Sequence, residues 1–288
     1  MIGVFDSGYG GLTVLRELVD QLPEYSYIYL GDNAREPYGP HTEAEIFRYT
    51  LEGVEFLFAQ GCELILLACN TVSAGALRRL QQEVLPAKYP DKRVLGILVP
   101  SIEKLTGIPW KSPVKVRPLG TETRTVGVLG TEATVRSAAY TKEIKKRDPN
   151  MVVFEQACPA LTTLIVAAAP EEELRKAVRQ YLDELYNKMR EQGEEPPPSA
   201  LLLGCTHFAI IKDLIESELP DSVELVEQSS IVAETLRYYL ERHSDLESRL
   251  NKSGQRIYYT TGDPTQISML GSKYFGGPIK FESVNIAL

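Results

Sequence analysis

Short, unbroken apolar runs recur along this chain, and each is followed by a stretch in which apolar residues return every three or four positions. Runs such as 2–5, 64–68, 125–129 and 200–203 are too short for buried helices. They lack the alternation of a half-wetted strand and so read as strands covered on both faces. Strands of that kind belong to parallel sheets, because each parallel connection needs a crossover, and the crossover helices then cover the sheet. Further strands are expected near residues 25–30, 94–98, 152–156, 223–226 and 256–260. Helical spacing is clearest over 12–22, 43–60, 72–85, 134–146, 171–190, 208–219 and 231–242. Nine strands suit two sheets better than one, and 288 residues suffice for two α/β domains, each with its own core. Residues 108–123, with Pro109, Pro113 and Pro118 around the only tryptophan, show neither period and read as a long surface connection. Residues 193–199, containing Pro196-Pro197-Pro198, form a second break.

Two of the apolar runs end alike. Leu64-Ile65-Leu66-Leu67-Ala68 leads into Cys69-Asn70-Thr71, and Leu201-Leu202-Leu203-Gly204 leads into Cys205-Thr206-His207. The chain thus reads twice as strand, cysteine, helix. Ligands of parallel sheets collect at the carboxyl ends of strands. A cysteine there also lies near a helix N-terminus, whose partial positive charge favours thiolate. Cys62 and Cys158, by contrast, read as small buried hydrophobes. All four cysteines are expected to be free thiols, since a large core and a reducing compartment make stapling unnecessary.

Composition narrows the function. Hydrophobic residues make up 43% and charged residues 24%, and no apolar run approaches the ~20 residues of a membrane span. The opening Met1-Ile2-Gly3-Val4-Phe5-Asp6 lacks the features of a secretory signal, so the cytoplasm is expected. A net charge of −8 and a pI near 5.2 argue against a nucleic-acid surface. The basic cluster from Lys142 to Arg147 reads as a solvated helix face.

Two polar turns follow strands. Asp6-Ser7-Gly8-Tyr9-Gly10-Gly11 opens a helix and points backbone N–H groups beyond the sheet, where an anion would sit. It lacks the third glycine of a dinucleotide fingerprint and the Gly-Lys-Ser/Thr of a P-loop. The plainer alternative is a tight turn with Asp6 as a helix cap. In Gly31-Asp32-Asn33-Ala34-Arg35-Glu36-Pro37-Tyr38-Gly39, Asp32 would cap or orient, and Pro37-Tyr38-Gly39 would offer backbone donors and one phenol.

Cys69, Cys205 and His207 could in principle ligate zinc, but closely spaced ligand pairs such as C-x-x-C are missing, and no metal is expected. A hydrolase with Cys205 as nucleophile and His207 as base would leave Cys69 without a role. Two similar thiols suit inversion at a carbon bearing an acidic hydrogen: one thiolate removes the proton, and the other thiol delivers one to the opposite face. Such a site needs donors around the substrate carboxylate and exclusion of water, and needs no organic cofactor.

These residues resemble the glutamate racemases of the cofactor-independent aspartate/glutamate racemase superfamily. The resemblance covers nearly the whole chain. It is carried by Val4-Phe5-Asp6-Ser7-Gly8 with Gly10-Gly11-Leu12-Thr13-Val14-Leu15, by Pro37-Tyr38-Gly39, by Ala68-Cys69-Asn70-Thr71, by Gly130-Thr131 through Tyr140, and by Gly204-Cys205-Thr206-His207. The tail Tyr259-Thr260-Thr261-Gly262-Asp263-Pro264 narrows it to the glutamate enzymes. The resemblance implies that Cys69 and Cys205 are the acid/base thiols, assisted by Asp6 and His207. It implies that Asp6, Ser7, Pro37, Tyr38, Gly39, Asn70, Thr71, Thr134, Thr206 and His207 bind the amino acid.

The fold it implies is α/β, with two similar domains of mainly parallel sheet flanked by helices and the active site in the cleft between them. The first domain would be residues 1–98 plus 209–288, and the second 99–208. A homodimer that takes glutamate and supplies D-glutamate to peptidoglycan synthesis, with no cofactor, is the expected state. The sequence departs from the family pattern at Val166, where a glutamate is usual, and residues 108–123 resemble an insertion. The rival readings are a racemase of aspartate or another amino acid, and a binding module that has kept its old site residues.

Overall fold

A computed structural model describes residues 1–108 and 124–286; most of the 108–123 connection lies outside the described residues. Ten strands are described: β1 (Ile2–Asp6), β2 (Tyr27–Gly31), β3 (Leu64–Leu67), β4 (Arg93–Gly96), β5 (Thr125–Gly130), β6 (Val152–Ala157), β7 (Ala200–Gly204), β8 (Glu224–Val226), β9 (Arg256–Thr260) and β10 (Glu282–Ser283). They form two sheets, of order β10-β9-β2-β1-β3-β4 and β6-β5-β7-β8. Every pairing is parallel. The apolar runs therefore do what their length and continuity require. β1, β2, β3 and β7 are buried at every residue, on both faces. Each large side chain so enclosed, such as Phe5 or Leu202, contributes about 2 kcal/mol relative to an exposed one.

Chain contacts divide the molecule into two units, Met1–Ile97 with Ser229–Leu288, and Leu98–Gln228. The return to the first unit falls later than residue 209, for a reason visible in the hydrogen bonding. β8 pairs with β7 (Leu201 opposite Leu225), which ties the intervening segment to the second sheet.

Several expected helices are interrupted. Residues 72–85 form four short pieces from Asn70 to Lys88, with a π turn over Leu80–Val84 ahead of Pro86. The 134–146 stretch breaks at Ala138, which has φ 51° and ends Glu132–Ser137 before Ala139–Arg147 begins. Residues 206–211 are a 3₁₀ turn, and the α-helix there is only Lys212–Ser217. The helices Leu98–Thr106, Pro159–Val166 and Pro264–Phe275 and the short strand β10 escaped the periodicity reading. In the basic cluster the three lysines bond locally, whereas Arg147 is buried and donates to the Glu143 carbonyl. Among the described residues no helix is long and apolar enough to cross a membrane.

Candidate active site

In the first unit the chain leaves β1 for β2 on one side and returns to β3 on the other. Oppositely directed crossovers make a switch point between β1 and β3, the place where open α/β sheets take ligands. Asp6 is the last residue of β1. Cys69 follows β3 as the N-cap of α3 (Asn70–Gly75), so Asn70 and Thr71 form the buried first turn of that helix. The Ala68 N–H donates to Phe5 O at 2.8 Å and holds the two strand ends level. The Ser7 hydroxyl then lies 3.3 Å from the Cys69 sulfur.

Asp6 is not a cap. The helix α1 (Gly11–Gln21) has Gly10 as N-cap with no side-chain bond, while Asp6 Oδ1 accepts the Gly8 N–H at 2.7 Å and shapes the turn before it. A Cβ on Gly11 would lie 2.7 Å from that of Asp6 and 2.9 Å from that of Ala68, so only glycine lets the helix begin this close to the strand ends. Tyr29, inside β2, donates its hydroxyl to Gly8 O at 2.8 Å. Burial first, then the charges of Asp6, Glu36 and Cys69, push its pKa well above the ordinary range, so it serves as a neutral donor.

The 37–39 turn lies past the carboxyl end of β2. Pro37 is exposed, but Tyr38 is only 2% exposed and donates its hydroxyl to Asp32 Oδ2. Its proton is committed to that carboxylate. The turn therefore presents a ligand with backbone and an acceptor oxygen, rather than with a phenolic O–H.

The second unit repeats the arrangement. β5 leads to β6 on one side and to β7 on the other, and Gly130 stands opposite Gly204 at the switch point. Cys205 follows β7 and is the N-cap of the 3₁₀ turn Thr206–Ile211, with Thr206 and His207 buried in its first positions. The Cys205 sulfur lies 3.8 Å from His207 Nδ1 and 3.9 Å from the Thr162 hydroxyl. Thr134 is fully buried in Glu132–Ser137. Its N–H donates to Thr131 Oγ1 at 3.2 Å, and the two hydroxyls are 3.0 Å apart.

Thr162 was not foreseen as a site residue. Its only sequence signal is a hydroxyl pair, Thr162-Thr163, inside the otherwise apolar helix Pro159–Val166. That helix ends at Val166, where the family resemblance places a carboxylate, so the side chain that reaches Cys205 from it is Thr162, one turn earlier. Cys158, at the same end of β6, has its pKa raised by burial and next by the Cys205 charge. It is thereby held as a thiol. Among the described residues no group of three or more His, Cys, Asp or Glu is arranged to hold a metal ion.

Two α/β units, each with a parallel sheet and a cysteine at its switch point, place this chain among α/β proteins that bring a thiol to the ligand-binding ends of the strands. The chain belongs to the Asp/Glu/hydantoin racemase family, whose model matches residues 2–236. It is 41% identical over 286 residues to a glutamate racemase of Phenylobacterium zucineum, spanning 98% of this chain and 99% of that one. It is 42% identical over 287 residues to one from a Caulobacter species, at 98% and 99% coverage. A solved glutamate racemase from Francisella tularensis, in complex with D-glutamate, matches with a TM-score of 0.82 at 29% identity, covering 99% of this chain and 97% of that one.

Proposed function

We propose that this chain interconverts L- and D-glutamate, one of Cys69 and Cys205 removing the α-proton and the other delivering a proton to the opposite face. The activity rests on family membership and on full-length identity of 41% to a glutamate racemase. The observation that supports the division of labour is a thiol at the switch point of each sheet.

One cysteine begins as thiolate and the other as thiol. The thiolate sulfur takes the α-proton, so a C–H bond breaks, an S–H bond forms, and the electron pair left on carbon spreads into the substrate carboxylate. The second thiol gives its proton to the opposite face and becomes the thiolate. Nothing is oxidised or reduced. The protein finishes with the two protonation states exchanged, ready for the reverse direction. Because the α-hydrogen is weakly acidic, the barrier falls only where donors stabilise the developing charge.

Asp6 assists proton movement at Cys69, and His207 does so at Cys205. Ser7, Pro37, Tyr38, Gly39, Asn70, Thr71, Thr134 and Thr206 hold the amino acid. The product D-glutamate supplies peptidoglycan synthesis. We propose that the protein works as a homodimer in the cytoplasm. The reading is tested by Cys69→Ser and Cys205→Ser assayed in both directions: each variant loses turnover, and undiminished turnover in both would sink the two-thiol mechanism.

A further inference from the structure

The turn that carries Tyr38 has little core of its own. Pro37 is exposed, Gly39 has no side chain, and Tyr38 alone is anchored. Tyr38 is held by Asp32, a fully buried carboxylate at the end of β2. Asp32 in turn is gripped from three directions. Its Oδ2 accepts Arg35 Nε at 2.7 Å as well as the Tyr38 hydroxyl, and its Oδ1 accepts the Thr261 hydroxyl at 2.8 Å. Arg35 is fixed by Glu52, a buried carboxylate on α2 (Glu43–Ala59), and its guanidinium lies 4.2 Å from the centre of the Tyr49 ring.

Thr261 follows β9 and does more than bond Asp32. Its N–H donates to Gly31 O at 3.1 Å, and its hydroxyl oxygen accepts the Ala34 N–H at 3.0 Å. Thr260 adds a hydrogen bond to Asn33 Oδ1 at 2.9 Å. The tail segment beyond the part matched by the family model thus braces the 32–39 turn.

We infer that Glu52, Arg35 and Thr261 are positioning residues for the Pro37-Tyr38-Gly39 turn: they fix the Asp32 carboxylate, and through it Tyr38, where the turn meets the amino acid. This rests on the reading of that turn as part of the glutamate site. Charge-assisted hydrogen bonds are the strong ones, and Asp32 with Arg35 and Glu52 makes a chain of them ending on Tyr38. The chemistry is left to the thiols. The clamp sets the height of backbone groups that touch substrate in ground state and transition state alike.

Uniform binding of that kind shows in KM and spares kcat. Full-length Glu52→Gln and Thr261→Val are therefore expected to raise KM for glutamate by roughly five- to tenfold while kcat stays within about twofold. Thr261→Ser, which keeps the hydroxyl, restores the parent KM. In hydrogen–deuterium exchange the peptide spanning 32–41 exchanges about tenfold faster in Glu52→Gln and Thr261→Val, with parent rates elsewhere and in Thr261→Ser. Parent KM together with parent exchange in 32–41 would overturn the inference. So would acceleration spread evenly over the first unit, the mark of general destabilisation. If the unaltered protein turns over no glutamate, the functional reading fails on its own, and the exchange data decide the clamp by themselves.

Discussion

The thiols after β3 and β7 occupy one topological position in two sheets and keep different company. Cys69 has a hydroxyl at 3.3 Å and a carboxylate, Asp6, on the neighbouring strand end. Cys205 has an imidazole nitrogen at 3.8 Å and a more distant hydroxyl at 3.9 Å. The strand-end position repeats because the βαβ topology repeats. The neighbours differ because they come from connections, which the topology leaves open. The proposed reaction, with two thiols alternating as acid and base, needs similar sulfurs and tolerates different assistants.

The largest effect expected is loss of the thiols themselves. Cys69→Ser and Cys205→Ser should each slow racemisation by at least ~100-fold, since a serine hydroxyl is far too weakly acidic to replace a thiol. Chiral chromatography of the reaction mixture measures this in both directions, and retention of full rate by either variant would break the equivalence of the two halves.

Asp6→Asn and His207→Asn come next, each at roughly 10- to 100-fold. The asymmetry predicts that they act on opposite directions. With α-deuterated substrates, the primary isotope effect should grow for one enantiomer in Asp6→Asn and for the other in His207→Asn. Growth for the same enantiomer in both would contradict the assignment of one assistant to each thiol.

Smaller still are the hydroxyl effects. Ser7→Ala should cost about three- to tenfold in kcat/KM, and Thr162→Val less, because the first contact is shorter. The same assay checks both, and a larger loss in Thr162→Val would reverse the ranking.

Legibility from the sequence followed the source of each constraint. The buried strands declared themselves because both faces are covered, which leaves a continuous apolar run such as Leu64-Ile65-Leu66-Leu67. Cys69, Cys205 and their polar followers were visible because they adjoin those runs. Helix interruptions at Ala138 and near Pro86 were hidden, since an apolar period passes through a local break unchanged. Thr162 was hidden for a different reason: it approaches Cys205 from a helix that tertiary packing alone brings near. Arg35 and Thr261 meet at Asp32, and Glu52 reaches it only through Arg35; the three come from separate parts of the chain, so no spacing in the sequence reveals the link.

A further effect belongs to the core thiols. Burial pushes Cys62 from 9.0 up to about 12 and raises Cys158 as well. A thiol whose pKa is raised by folding stabilises the fold fully below its unfolded value, and that contribution fades as pH climbs toward the folded value. Between about pH 9 and pH 12 the protein should therefore lose melting temperature, and Cys62→Ala should lose less of it over that range, by roughly 10 °C at pH 12. Identical alkaline slopes by calorimetry would show that Cys62 does not titrate as its burial requires.

Proton NMR with L-glutamate in deuterated water follows the removal of the α-proton itself. The α-hydrogen signal should disappear while chiral analysis of the same tube shows D-glutamate appearing. A persistent α-hydrogen and no D-isomer, in reduced and folded protein, would contradict the account. Exchange with L-aspartate in a parallel tube but none with glutamate would keep the thiol chemistry and overturn the substrate.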